Sequence, residues 1–358
     1  MSQSAREAET MIRLKDIAQQ AGVSLMTVSK ALRDAPDVSA ATKARIKLLA
    51  QQLGYVPDSS AQGLRTRATR LFGVVISSLT NPIFSRMVLA LQERAYDLGY
   101  DILLAYTFNN PEREETCIRR LLSRRVEGLF ISPVYRMDSS ARVYQELANS
   151  GKPTVLLGHH APFCSQFVNV ETDDLQAAYS VTQHLLRNGH RRIAFLTGPP
   201  GTPWTLERFE GYRRALREAG MDVDDKLVFQ AGRTIEDGAR AAIQMITEKT
   251  EATAVQAIND LVAIGCAEVL IKQGLSIPSD LSVAGFGNIL VSEYFRVPLT
   301  TISQPKYRLG VAAMEAMEAL LSGKRPDSRR IPAELVVRDS TGTAPASSAL
   351  KRLKTPTA

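Results

Sequence analysis

The chain has 358 residues, 44% of them hydrophobic and 23% charged, and carries a formal net charge of +7. That length suits two or three domains, and the composition is that of a soluble protein with well-filled cores. No apolar run approaches the ~18 residues of a membrane span, and the N-terminus MSQSAREAETMIRLKDIAQQ lacks a signal peptide's apolar stretch.

Cys117, Cys164 and Cys266 are far apart and show no metal spacing. They suit a reducing, cytoplasmic setting. The placement of charge says more than its total. Residues 1–70 hold 11 Lys and Arg against 6 Asp and Glu, so most of the positive excess sits in a fifth of the chain. A polyanion-binding module is one reading and a solvated basic surface the other; charge alone does not separate them.

In chain order, residues 12–55 read as three short helices. LKDIAQQA has Leu14, Ile17, Ala18 and Ala21 on one face and is broken by Gly22. Ser24 then caps SLMTVSKAL, and Ser39 caps AATKARIKLLAQQLG. Residues 56–70 are polar, basic and poor in apolar anchors, a linker with room for a short helix near Ala61–Leu64. From Leu71 strand-like runs alternate with helical stretches: LFGVVIS, PIFSRMVLALQERAYDLG, YDILLAY and so on to LSVAGFG. Such β–α alternation predicts parallel sheets covered by helices on both faces, in two lobes. The segment from Gly342 onward, rich in Ala, Ser, Pro and Lys, reads as disordered.

The sharpest signal is LKDIAQQAGVSLMTVSKAL, residues 14–32. A helix-turn-helix needs a small residue inside its first helix, filled by Ala18. It needs a tight turn four residues later, filled by Gly22, and an apolar anchor in the second helix, filled by Val28. The second helix then turns its outer face to the major groove. Lys30 suits guanine acceptors, and Leu25 and Met26 suit thymine methyls. Ser24, Thr27 and Ser29 suit short phosphate or base contacts, and Arg33 extends the same face. The bland alternative is an ordinary three-helix domain.

The segment from IRLKDIAQQAG to AQGLRTRAT resembles the headpiece of the lactose/galactose repressor (LacI-type) family. NPIF, RRVEGLFI, HLLRNGHRRIAFLTGP, AINDLVAIGCAEVL, IPSDLSVAGF and PLTTISQP match the same family downstream. The resemblance implies a small all-α helix-turn-helix headpiece (12–57), a hinge linker (58–70) and a two-lobed, doubly wound, periplasmic-binding-protein-like α/β sensor (71–340). It places the first lobe at about 71–167 and 299–325, the second at about 168–298 and 326–340, and leaves a tail at 341–358. It implies a homodimer on a double-stranded, pseudo-palindromic DNA operator, with no membrane partner, no cofactor and no metal. It also implies that Leu64 wedges into the minor groove from a hinge helix; Gln62, where the family usually has Arg, and Gly63 depart from that pattern.

The same resemblance puts a small-molecule effector, a sugar, sugar acid or sugar phosphate, between the lobes. Phe84, Ser132, Arg208, Arg233, Asn259 and Asp260 are its expected contacts. Arg208 is the anchor, with a structural ion pair as the competing reading. Gly287 and Gly158 stand where the family commonly has Asp. With those acceptors gone and two arginines present, an anionic effector is expected. His159 and His160 are adjacent, so their side chains diverge from one strand and chelate poorly. An enzyme on the same scaffold would call for a GxGxxG after a strand, a P-loop or a GxSxG elbow, none of which occurs. A solute-binding protein would call for a signal peptide where this chain has its basic headpiece.

Overall fold

A computed structural model describes residues 12–56 and 68–353. Leu64 and most of the expected linker lie outside the described residues. The chain divides between Thr69 and Arg70 into two compact units.

The first unit has three helices, α1 (Leu14–Ala21), α2 (Leu25–Leu32) and α3 (Ala40–Gln52). Gly22 ends α1 in the left-handed region at φ +63°, and its N–H reaches back to Ala18 and Gln19. A residue with a Cβ is strained there, which is why the tight turn takes glycine. Ser24 and Ser39 cap the next two helices by accepting from the N–H groups of Thr27 and Thr42. Ile17, Ala18, Val28, Ala31, Ile46 and Ala50 form a small core, closed by Leu14, Val23, Leu32 and Tyr55. Ala18 and Ala31 let the helices approach at the spacing the motif requires.

The second unit opens with β1 (Leu71–Ile76), α4 (Pro82–Asp97), β2 (Asp101–Tyr106), α5 (Pro111–Ser123), β3 (Gly128–Ile131), α6 (Arg142–Asn149), β4 (Thr154–Leu157) and β5 (Val168–Thr172). It continues with α7 (Asp174–Arg187), β6 (Ile193–Thr197), α8 (Pro203–Glu218), β7 (Val228–Gln230), α9 (Ile235–Thr247), β8 (Ala254–Ala257), α10 (Asp260–Lys272) and β9 (Ser282–Gly287). It ends with α11 (Leu290–Tyr294), β10 (Thr300–Ser303), α12 (Lys306–Leu321), β11 (Arg329–Ile331) and β12 (Glu334–Val336).

The strands form two six-stranded sheets, ordered β2-β1-β3-β4-β5-β11 and β7-β6-β8-β9-β10-β12. All the pairings are parallel except that of β12 with β10. Each sheet defines one lobe, and fully buried strands such as β3, β4, β6 and β8 need apolar residues on both faces. In each lobe the order reverses beside the first strand, at β1/β3 and at β6/β8. Open α/β sheets bind ligands beyond the carboxyl ends of strands at such a point.

The chain passes between the lobes after β5, after β10 and after β11. These passages correct the expected lobe boundaries. Val168–Thr172 pairs with β4 and stays in the first lobe, while Thr300–Ser303 pairs with β9 and belongs to the second. Arg329–Ile331 returns to the first sheet beside β5. The expected disorder after Gly342 is also corrected, as far as Leu353. Leu350 is fully buried in the second lobe's core, Ala344 N–H donates to Asn188 O at 2.8 Å, and Lys351 pairs with Glu251. Two apolar anchors, Ala349 and Leu350, outweigh the polar composition around them. Among the described residues no helix is long and apolar enough to cross a membrane.

Candidate functional site

On α2 the exposed apolar side chains are Leu25 and Met26, 52% and 62% accessible. The other expected DNA-contacting residues on and beside α2, Ser24, Thr27, Ser29, Lys30 and Arg33, are engaged within the headpiece. Ser24 Oγ accepts from Thr27 N–H at 3.1 Å and lies 2.8 Å from Thr27 Oγ1, so both hydroxyls serve the helix cap. Arg33 folds back along its own helix, Nε donating to Ser29 O at 2.8 Å and Nη2 to Ser29 Oγ at 3.2 Å. Lys30 pairs with Asp37 in the segment before α3. These are exposed contacts of the kind a strong anionic partner displaces at little cost.

The second site is a cavity of about 360 Å³ in the sensor unit. Segments following β1 (Ser77, Thr80), β3 (Ser132, Tyr135) and β8 (Asn259) reach it, with α4 giving Phe84 and α8 giving Trp204 and Arg208. All six expected effector contacts line it. Its walls are fixed from behind. Buried Glu114 on α5 accepts from Val134 N–H and Tyr144 Oη, both at 2.7 Å, and pairs with Arg136, which pins the loop after β3.

The six contacts differ in how free they are. Arg208 is buried with Nε and Nη2 donating to Asp174 Oδ1 at 3.0 and 2.9 Å and Nη1 to Ile258 O at 2.6 Å. Its guanidinium carbon lies 3.6 Å from the Phe286 ring centroid and 5.1 Å from that of Trp204. Burial draws its pKa down, against the attraction of Asp174. Asp260 is buried, accepting from Ile289 N–H at 2.9 Å, Ser292 Oγ at 2.7 Å and Thr301 Oγ1. Burial pushes its carboxyl up despite those donors. Asn259 caps α10 through Val262 N–H and donates to Arg233 O. Arg208 is therefore also the structural ion pair, and Asn259 and Asp260 shape the wall through contacts of their own. Among the described residues the Arg233 guanidinium makes no hydrogen bond, and burial lowers its pKa.

The cavity does not lack acceptors. Glu171 and Asp174 line it, so the premise behind an anionic effector is corrected. Sequence reasoning missed these acids because they meet Arg208 and His159 only through the fold. The one local clue was the helix start at TDDLQ, where Asp173 accepts from Gln176 N–H. Gly158 and Gly287 sit at φ +131° and +139°, a region L side chains rarely adopt, so this backbone disfavours the family's Asp at either place. His159 and His160 do diverge. His160 Nε2 bonds Phe167 O at 2.6 Å, and His159 Nε2 faces Glu207, Asp174 and Glu171 at 3.2, 3.3 and 3.9 Å. His159, Glu171 and Glu207 offer donor atoms within 4.8 Å of one another, but Arg330 already lies across both glutamates.

Comparison with known proteins joins the two sites. The profile of bacterial regulatory proteins of the lacI family matches residues 13–58, and that of periplasmic binding proteins and the sugar-binding domain of the LacI family matches residues 69–339. The chain is 31% identical to the transcriptional repressor CytR of Escherichia coli K12, over 95% of this chain and 99% of that one. It is 32% identical to the repressor PurR of Photobacterium profundum, over 92% and 98%. The Lac repressor dimer bound to operator and the anti-inducer ONPF superposes with a TM-score of 0.82 at 28% identity, over 92% and 99%. The regulator CelR in complex with cellobiose gives 0.70 at 28% identity, over the same shares. With headpiece and sensor both matched in one chain, the protein belongs to the LacI family of DNA-binding transcription regulators.

Proposed function

We propose that the protein is a dimeric repressor that reads a two-half-site operator with α2 and responds to a small hydroxyl-rich molecule in the sensor cavity. The observation that carries the effector reading is the pairing of Arg208 with Asp174 inside that cavity. A guanidinium already neutralised by a buried carboxylate offers an anion little net attraction, while Asp174 and Glu171 accept from hydroxyl groups. Trp204, Phe286 and Phe84 give the apolar faces against which a ring packs. A neutral sugar is thus preferred to its acid or phosphate, with Arg233 the group that would favour the charged forms.

Dimerisation is supported by apolar residues left on the surface. Leu290 and Tyr294 of α11 are 76% and 75% accessible, and Val291 lies between them. An open depression of about 1160 Å³ follows the edge of β2, lined by Ile102, Leu103 and Leu104 on one side and by polar residues of α5, among them Arg113 and Arg120, on the other. Patches of this kind on a water-soluble surface mark association sites. A ligand that binds one arrangement of the lobes more tightly shifts the dimer toward it, and with it the fit to two half-sites. CytR, PurR and the Lac repressor are named repressors, which supports repression here.

The deciding experiment is calorimetry with matched pairs: a hexose against its uronic acid and its phosphate, after a thermal-shift screen to choose the hexose. Binding of the neutral member alone supports the reading. Binding of only the charged members returns the role to Arg233 and removes the neutral-sugar proposal.

A further inference from the structure

Beside the cavity a cluster of charges runs from one lobe to the other. The first lobe contributes His159, just after β4, Glu171 on β5 and Arg330 on β11. The second contributes Asp174 at the start of α7 and Glu207 on α8. Glu207 is the centre of the crossing. Its Oε2 lies 3.2 Å from His159 Nε2, and its Oε1 accepts from Arg330 Nη2. Arg330 is anchored in turn, with Nε 2.8 Å from Glu171 Oε1 and Nη1 3.6 Å from Asp173. The next residue, Arg208, and Trp204 one turn earlier both line the cavity.

We propose that Glu207 is a positioning residue for the effector cleft, holding the second lobe against His159 and Arg330 of the first and so setting where Trp204 and Arg208 stand. The proposal rests on the cavity being the effector site. Four carboxylates (Glu171, Asp173, Asp174, Glu207) face two arginines (Arg208, Arg330), which leaves the cluster with an excess of negative charge that a proton on His159 reduces. Burial opposes that proton, but the hydrogen bond to Glu207 and the charges of Asp174 and Glu171 outweigh it and hold the His159 pKa above its ordinary value. Burial likewise opposes ionisation of Glu207, and His159 and Arg330 overcome it and hold its carboxyl below the usual range. Tyr135, a further ionisable neighbour, donates its hydroxyl to His159 O and stays neutral because burial raises its pKa. A histidine whose folded pKa is raised stabilises below its unfolded value and loses that contribution as pH rises through the folded one. The clasp is therefore complete where Glu207 is ionised and His159 protonated; it loosens as the solution becomes alkaline and His159 loses its proton, and again in strong acid as Glu207 gains one.

The test uses the full-length protein without ligand. The chain has 4 histidines, so an NMR titration of the imidazoles resolves His159, assigned by His159→Gln. His159 should titrate above the ordinary imidazole value of about 6.5. Glu207→Gln should return it toward that value and speed amide exchange several-fold at 158–160, 204–208 and 329–331. Should Glu207→Gln fail to fold, Arg330→Met opens the same clasp from its half-exposed side. An ordinary His159 titration with unchanged exchange in these variants overturns the proposal. So does a His159 signal that responds only to added Zn2+, bound one per subunit and lost with His159→Gln, because a metal and not a proton would then hold the cluster. Neither readout involves an effector, so a failure here is distinct from a cavity that binds no hexose, uronic acid or sugar phosphate.

Discussion

Leu25 and Met26 project from α2 into solvent, while around the cavity nearly every charged side chain is held by another of the same chain. The two sites meet partners of different kinds. A duplex brings its own rigid array of donors, acceptors and phosphates, so a short helix with exposed side chains and weak surface pairs suffices to meet it. A small ligand brings few atoms, and its orientation depends on groups fixed beforehand by the fold. The headpiece is thus built within residues 12–55, its turn and caps from contacts a few residues apart, and the cavity from contacts across the whole sensor unit.

The change expected to break this contrast most severely is Arg208→Ala. It leaves Asp174 buried without its cation, and removing one partner of a buried pair costs about 3–5 kcal/mol. Denaturant unfolding of the sensor transition should show that loss, together with loss of effector binding. Arg208→Lys should rescue little, because an ammonium lacks the planar fork that engages Asp174 through two nitrogens and Ile258 O through a third, and the flat face that lies against Phe286. A stable Arg208→Ala protein that still binds effector would mean the cavity is no more preorganised than α2.

The contrast also accounts for what the sequence disclosed. Ala18, Gly22, Ser24 and Val28 lie within a dozen residues, and turn, cap and core follow from their spacing, as the structure bears out. The β–α alternation is equally local, and so the two doubly wound sheets were legible. What the sequence hid depends on distance. Asp174 meets Arg208 across 34 positions, and Glu171 meets Arg330 across 159. No periodicity encodes such pairs. The lobe boundaries slipped by a strand at VNVET and TTIS because the sheet a strand joins is decided by its distant pairing, with β4 and with β9, and not by its own residues. The segment after Gly342 was misread from composition, since two buried apolar residues, Ala349 and Leu350, outweigh the polar residues around them.

That segment supplies the next expected effect. Leu350→Ala should destabilise the sensor unit by about 2–5 kcal/mol, the ordinary cost of emptying a fully buried leucine site. Thermal or denaturant unfolding reads it directly. Headpiece binding to random DNA at a fixed salt concentration should be unchanged. A loss within experimental error would return residues 342–353 to the status of a loose tail.

Gly287→Ala should cost less, about 1–3 kcal/mol, through strain at φ +139° and a Cβ placed 3.3 Å from Asp260 Oδ2. Effector affinity should fall further than stability, because Asp260 shapes the wall beside the ligand. If Gly287→Asp instead improved sugar binding without destabilising the protein, the backbone there would be freer than its geometry indicates. Glu171 and Asp174 would then not be the acceptors that matter.

The smallest change in stability, and the most informative about α2, is expected from Lys30→Ala. Its partner Asp37 is exposed, so unfolding of the headpiece should hardly respond. DNA recognition should respond. If the ammonium leaves Asp37 for a guanine edge, its loss weakens binding to the best site by about 1–3 kcal/mol and relaxes preference at one position of each half-site. If it goes to a phosphate, binding weakens evenly across sequences and the salt slope drops by about one. Selection of sites from random DNA, followed by titration at two salt concentrations, separates the two. Asp37→Ala is the counterpart: with the competing carboxylate removed, affinity should hold or rise. An unchanged consensus for Lys30→Ala, with an unchanged salt slope, would place Lys30 outside the interface and leave Leu25 and Met26 as the readers on that face.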